Sequence, residues 1–79
     1  MKTEIYVIYD KVAQESGPIF EAKNEAVAQR QFVRVVGQAP DPDDFRLLRI
    51  GVMEHDTSVV TLEVPPVEVP VVVRREKNG

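Results

Sequence analysis

The sequence predicts an α+β fold: a small two-layer domain in which one helix packs on an antiparallel sheet of three to four strands. Two observations lead to this prediction. Residues 24–37 are the one segment with the apolar periodicity of an amphipathic helix. Apolar, β-branched segments with strand character precede and follow it. A single helix flanked in sequence by strands buries its apolar stripe against a sheet.

Length and composition restrict the class of protein. The chain has 79 residues, which is room for one core. It contains no cysteine, so disulfides and thiolate chemistry are excluded. Its apolar runs are too short to cross a membrane, and we expect a soluble protein inside the cell with no membrane partner. The net charge of -3 does not indicate nucleic acid as a partner, although local clusters of arginine still allow it.

The first predicted strand is Lys2–Asp10. Ile5 and Val7 share one face with Tyr9, and Tyr6 and Ile8 take the other. Because both faces are apolar, we expect this strand to be central in the sheet, or to have its second face covered by a partner chain. Residues 18–21 are a short extended segment that we expect to return beside the first strand.

The helix begins after Asn24, whose side chain suits the N-cap. Gly37 is placed to end it in a left-handed turn. Arg30 and Arg34 lie one turn apart, opposite the apolar stripe. The stripe consists of Ala28, Phe32, Val35 and Val36.

Two segments after the helix predict a β-hairpin: residues 45–54 and 59–64. Leu47 and Leu48 are adjacent and apolar, which indicates either a bulge between Leu47 and Arg49 or a strand buried on both faces. Gly51 in a strand interior indicates a bulge or the close approach of another backbone. We therefore assign residues 1–64 to the α+β domain.

Residues 65–79 form the predicted proline- and valine-rich extended arm, with a basic end that we expect to fray. Prolines at positions 65, 66 and 70 exclude a regular inner strand. An exposed edge of this composition would aggregate, so we expect the arm to lie along a sheet edge or on a second subunit. The predicted contacts with an oligomer or protein partner are Tyr6, Ile8, Val67, Val69, Val71 and Val73.

Candidate chemistry is sparse. His55, the one histidine, lies between Glu54 and Asp56, and we interpret it as a solvated turn residue. The aspartates of residues 41–44 lack the spacing of a calcium loop, and no glycine-rich phosphate loop occurs. We therefore expect no catalytic residues, no metal, no cofactor and no enzyme activity.

The arginines suggest a nucleic-acid site. Four of them occupy the ordered middle of the chain, where they could contact phosphates while Tyr6 or Tyr9 stacks on bases. The alternative is that the tyrosines fill a core face and the arginines pair with surface carboxylates. The four predicted phosphate contacts are Arg30, Arg34, Arg46 and Arg49.

Short motifs along the chain, in this order and spacing, resemble the small nonstructural protein of gokushoviruses, the single-stranded DNA phages of the microvirus group. The motifs are Ile8-Tyr9-Asp10-Lys11, Gly17-Pro18-Ile19-Phe20, Asn24-Glu25-Ala26 with Ala28, Arg30 and Phe32, and Asp43-Asp44-Phe45-Arg46-Leu47-Leu48-Arg49-Ile50-Gly51.

The resemblance implies a nonstructural protein of the host bacterial cytoplasm that binds single-stranded DNA and helps to control viral genome replication. It offers no catalytic residues. We expect a homo-oligomer, because several copies would multiply a modest basic patch. The alternative is an interaction module that engages a phage replication, assembly or capsid protein without touching DNA.

Overall fold

The computed structural model describes residues 1–73. It contains one α-helix and a five-stranded antiparallel sheet. The elements in chain order are β1 (Lys2–Asp10), β2 (Glu15–Ser16), β3 (Phe20–Ala22), α1 (Glu25–Val36), a 3₁₀ turn (Pro42–Asp44), β4 (Phe45–Glu54) and β5 (Val59–Val69). The α+β fold is confirmed. The sheet exceeds the predicted three to four strands because β2 has only two residues, too few to show a period.

The strand order is β2-β1-β4-β5, and β3 pairs with the same edge of β1 as β2 does. β1 therefore lies between β4 on one side and the two short strands on the other, which confirms its predicted central position. Within the described residues β5 pairs only with β4 and forms the other edge of the sheet.

The start of α1 is as predicted, but its end is not. The Asn24 side chain accepts a hydrogen bond from the Val27 amide at 3.0 Å. Gly37 has φ -61° and ψ -21°, so it is right-handed, and the prediction of a left-handed turn is wrong. Its N–H still donates to the Val33 carbonyl, and Ala39 donates to the Val36 carbonyl, so the chain leaves the helix without a left-handed residue.

The core lies between α1 and one face of the sheet. Three of the predicted stripe residues are buried in it, whereas Val35 is 62% exposed, so the prediction is wrong for that residue. Val35 lies at the flank of the stripe and borders a pocket between α1 and the sheet. The core consists of Tyr6, Ala22, Ala28, Phe32, Val36, Leu47 and Val69.

A bulge interrupts the ladder one residue beyond the predicted stretch. Ile5 pairs with Gly51 and Tyr6 with Arg49, which leaves Ile50 as the extra residue of β4. On the other side of β4, Arg49 pairs with Val67 and Gly51 with Leu62, so residues 63–66 of β5 lie opposite that same point. Pro65 and Pro66 fall in this interruption, where no ladder donor is required.

The described part of the arm lies along its own sheet. β5 runs through residue 64, the predicted end of the domain, and Val67 to Val69 pair with β4. The Gln29 side-chain amide then donates to the Pro70 carbonyl at 3.2 Å, which holds the following residues against the helix side. The arm thus lies on the sheet edge up to Val69, and beyond it Val71 and Val73 pack against the core. The tail that we predict to fray, residues 74–79, lies outside the described residues.

Candidate binding surface

Only one face of the sheet is covered by α1. Cross-strand partners share a face, and Ile8, Leu47 and Val69, which are partners across three strands, point to the helix. The alternate residues point away from it. We call this second surface the open face, and its apolar members are Ile5, Val7, Tyr9, Leu48, Met53, Val60 and Leu62.

The open face is apolar and accessible except at Val7, which is 6% exposed. Leu62 is 68% exposed and Val60 is 42% exposed, while Ile5, Leu48 and Met53 are half-buried. A solvated face of an antiparallel sheet ordinarily alternates to polar residues. Contiguous exposed apolar side chains with a polar rim are typical of a protein interaction site.

A hydrogen-bonded network forms one rim of the open face. Thr3 Oγ1 donates to Glu21 Oε2 at 2.6 Å and lies 2.8 Å from His55 Nε2. Because the single hydroxyl hydrogen goes to Glu21, the Thr3 oxygen accepts from Nε2–H. His55 Nε2 also lies 3.3 Å from Glu21 Oε2. The network ties β3 and the β4–β5 turn to the start of β1.

His55 thus has a structural role that the sequence interpretation missed. Its position in a turn is as predicted, but its ring joins residues that are distant in the chain. The one signal in the sequence was Thr3, a polar residue on an apolar strand face. The partner of that hydroxyl is visible only after the strands are paired.

The opposite rim carries Arg46. Arg46 is the cross-strand partner of Tyr9 on the open face, and its Nε lies 3.8 Å from Glu68 Oε1. Both side chains of this ion pair are about half exposed, at 49% and 58%, so water screens it and Arg46 remains accessible. Tyr9, half-buried beside it, is the predicted stacking residue that the fold leaves partly accessible.

Arg49 is committed to internal contacts on the helix side. Its Nε donates to Glu63 Oε1 and its Nη2 to Glu63 Oε2 at 3.2 Å, a bidentate pair, and its Nη1 lies 3.8 Å from Glu4 Oε2. The hydrogen bonds with Glu63 raise the pKa of Arg49. A phosphate would have to displace both carboxylates.

Arg30 and Arg34 are exposed on α1, where the wheel predicts them. Neither forms an ion pair with another side chain of residues 1–73. Because both belong to α1, they lie on the helix side of the molecule, whereas Arg46 lies on the open face. The structure does not bring the four predicted arginines into one groove.

Tyr6 fits neither of its two predicted roles. Its side chain is fully buried, its ring stacks on Phe20 with centroids 5.8 Å apart, and its hydroxyl donates to Glu4 at 2.6 Å. No ring surface remains for a base or a partner chain. The alternative interpretation, that this tyrosine fills a core face, is correct.

The other predicted partner contacts also lie on the helix side. Val69 is 2% exposed and belongs to the core, and Ile8, Val71 and Val73 pack against that core. Val67 is 38% exposed. The sequence showed two apolar faces on β1 but not which one the helix covers. The face left for a partner is that of Ile5 and Tyr9, with Val7 buried between them.

The structure of residues 1–73 gives little support to a metal site or a membrane-spanning segment. Among residues 1–73 no group of three or more histidine, cysteine or carboxylate side chains is arranged to hold a metal ion. The aspartate loop is used locally, since Asp41 Oδ1 accepts from the Asp43 amide at 3.0 Å and caps the 3₁₀ turn. No helix among these residues has the length and apolarity needed to span a membrane.

Fold and surface together define a small two-layer α+β protein with one sheet face covered by its helix and the other open and apolar. The chain belongs to the phage ORF5 protein family, whose model matches residues 3–75. It is thus a bacteriophage protein. No curated protein and no solved structure gives a significant match.

Proposed function

We propose that this protein is a protein-interaction module of the phage, which engages a phage replication, assembly or capsid protein through the open face of its sheet. The observation that supports the proposal is the exposure of Leu62 and Val60 beside half-buried Ile5 and Leu48 on a face that α1 does not cover. Covering this face with a second protein would remove apolar surface from water at roughly 25 cal/mol per Å².

We also propose that it is a nonstructural gokushovirus protein, as its sequence motifs suggest, and that it acts by binding rather than catalysis in the host bacterial cytoplasm. A second copy of the chain is one candidate partner for the open face. A homo-oligomer of this kind would bury the apolar face that a chain of 79 residues leaves uncovered.

Leu62→Asp tests the open face. The side chain is 68% exposed, so the fold tolerates the change, whereas a buried carboxylate in an interface is strongly unfavourable. Tagged wild-type and variant proteins are used to capture partners from infected bacteria in the presence of nuclease, with mass spectrometry to identify phage-encoded proteins. We expect capture of these partners, or of the untagged chain itself, to fall by about tenfold in the variant, a change of about 1.4 kcal/mol in binding free energy.

Val12→Asp is the matched control, because Val12 is 74% exposed but lies in the β1–β2 turn and not on the open face. It should capture the same partners as the wild type. Equal capture by Leu62→Asp and wild type would rule out the open face as the binding surface.

Single-stranded DNA binding is the second candidate function. The specific observation in its favour is the cross-strand neighbourhood of Tyr9 and Arg46 on the open face, an aromatic ring beside a guanidinium group. Aromatic side chains on an accessible surface stack on bases, while arginine contacts the backbone. The acidic net charge of -3 weighs against strong non-specific binding.

Fluorescence anisotropy of a labelled single-stranded oligonucleotide at two salt concentrations tests this candidate. We expect Arg46→Ala to weaken binding. It should also reduce the slope of log affinity against log salt concentration by about one, which corresponds to one phosphate contact. The double variant Arg30→Ala with Arg34→Ala tests the helix surface in the same assay. Absence of binding by the wild type at low salt would eliminate DNA as a ligand.

A further inference from the structure

A second concave site lies on the helix side, at the end of the sheet where β2 and β3 meet β1. It is a pocket of about 510 Å³, within the range of ligand-binding cavities. Phe20 and Phe45 contribute aromatic side chains from the sheet, and Gln31 and Val35 line it from one side of α1. Because it lies on the helix side, it is separate from the open face.

Val35 is the residue that makes this pocket unusual. Its place in the apolar stripe of α1 predicts burial, yet it is 62% exposed and borders the cavity one turn after Gln31. Ile19, in the segment that leads into β3, is also 66% exposed. The helix thus offers an apolar side chain for a contact that residues 1–73 do not themselves provide.

The charge of the pocket is one-sided. Asp10 and Glu15 are acidic residues of its lining, and no lysine or arginine lines it. Asp10 Oδ1 is held by the amides of Val12 and Ala13, at 2.9 and 3.1 Å. Glu21 also lines the pocket, and its carboxylate accepts the hydrogen bond from Thr3. A ligand that complements this lining is apolar at one end and cationic at the other.

We propose that this pocket binds a peptide segment of a partner protein in which a large apolar side chain stands directly beside lysine or arginine. The apolar side chain enters between Phe20, Phe45 and Val35, and the cation lies at the mouth beside Glu15. The open face and the pocket can then be occupied at the same time, so one copy of the protein can join two partners.

The test is a titration of the isotope-labelled full-length protein with the peptide acetyl-Gly-Phe-Arg-Gly-amide, followed by amide chemical shifts. We expect perturbations at Ile19, Phe20 and Val35 and none at Leu62 on the open face. Peptides with glutamate in place of arginine, or alanine in place of phenylalanine, should bind at least about tenfold more weakly. Equal binding of all three peptides, or shifts confined to the open face, would overturn the proposal.

Two pairs of variants locate the contacts. Val35→Lys places a cation at the pocket and should lower the affinity about tenfold, whereas Val33→Lys, also exposed on α1 but outside the pocket, should leave it unchanged. Glu15→Gln should reduce the affinity at low salt, and Glu25→Gln, which removes the same charge outside the pocket, should not. An unchanged affinity in Val35→Lys would also overturn the proposal. The open face can fail its own test while this pocket passes.

Discussion

At the scale of single residues, Tyr6 joins the core to a polar cluster. Its ring is buried against Phe20, while its hydroxyl donates to Glu4, which also neighbours Arg49. Arg49 in turn is bound by Glu63. No buried side-chain nitrogen or oxygen atom of the described residues lacks a hydrogen-bond partner. The cluster therefore satisfies the polar end of a core that would otherwise carry a costly unpaired group.

This environment predicts a loss of stability at alkaline pH. Burial, followed by the neighbouring Glu4, raises the pKa of the Tyr6 hydroxyl above its ordinary value of 10.0. The folded protein then keeps a proton that the unfolded chain releases. The contribution of the Tyr6 hydroxyl to stability is present in full below pH 10. It is lost as the pH rises from there through the folded-state pKa of Tyr6.

Tyr6→Phe is expected to flatten this loss, because the titrating group is removed. The variant should also be about 1 kcal/mol less stable at neutral pH, since Glu4 loses a hydrogen-bond donor. Urea unfolding at several pH values measures both effects. Tyr9→Phe, which also removes one tyrosine hydroxyl, is measured alongside for comparison. The same slope in Tyr6→Phe and the wild type would contradict this account of the cluster.

At the scale of elements, the bulge in β4 and the unpaired residues of β5 opposite it change which residues of these two strands face the helix. The extra residue of β4 at Ile50 shifts the register, so Arg49 and Val52 both lie on the helix side although they are three positions apart. The opposite interruption in β5 places its prolines where the ladder is already open. Gly51 lies beside this point, and the neighbouring strand approaches it closely.

Gly51→Ala tests that close approach. A Cβ atom at this position would lie 2.8 Å from the Thr61 carbonyl oxygen, so β4 and β5 would have to separate. We expect a loss of about 1–3 kcal/mol in the free energy of unfolding, as for overpacked sites. Gly17→Ala is the control, because its Cβ would lie 3.4 Å from the Ile8 carbonyl oxygen. Equal stability of the two variants would show that the strands adjust without cost.

At the scale of the whole molecule, the one helix packs on only one face of the sheet. The principal dimensions of 51 × 24 × 17 Å show an elongated molecule in which the long β4–β5 hairpin exceeds the reach of a 12-residue helix. The remaining face is available to a second protein, which is the basis of the proposed function.

The same Leu62→Asp variant shows whether a second copy takes that face. If it does, the melting temperature of the wild type rises with protein concentration, because association stabilises the folded state. The variant should lose this dependence while its melting temperature at low concentration stays within a few degrees of the wild type. A wild-type melting temperature that is independent of concentration would rule out a second copy as the partner of the open face.

The sequence determined the elements themselves. The alternation in Lys2–Asp10, the N-cap at Asn24 and the run Phe45–Glu54 predict the structure closely, because these signals depend on neighbours within a few positions. Motifs of the same local kind also indicated a phage family. Local signals did not predict the right-handed conformation of Gly37 or the two-residue strand β2, because each depends on how the chain packs around it.

Only the tertiary structure decided what the side chains do. Periodicity shows that Tyr6 and Ile8 oppose Ile5, Val7 and Tyr9, but it is symmetric, so it cannot tell which face the helix covers. Thr3 and His55 are 52 positions apart and Arg49 and Glu63 are 14 apart, and strand pairing brings each pair into contact. Local sequence patterns determine the helix and the strands, because these depend on residues that are close together in the chain. The functional surface depends on long-range pairing, which is decided by the packing of the whole chain.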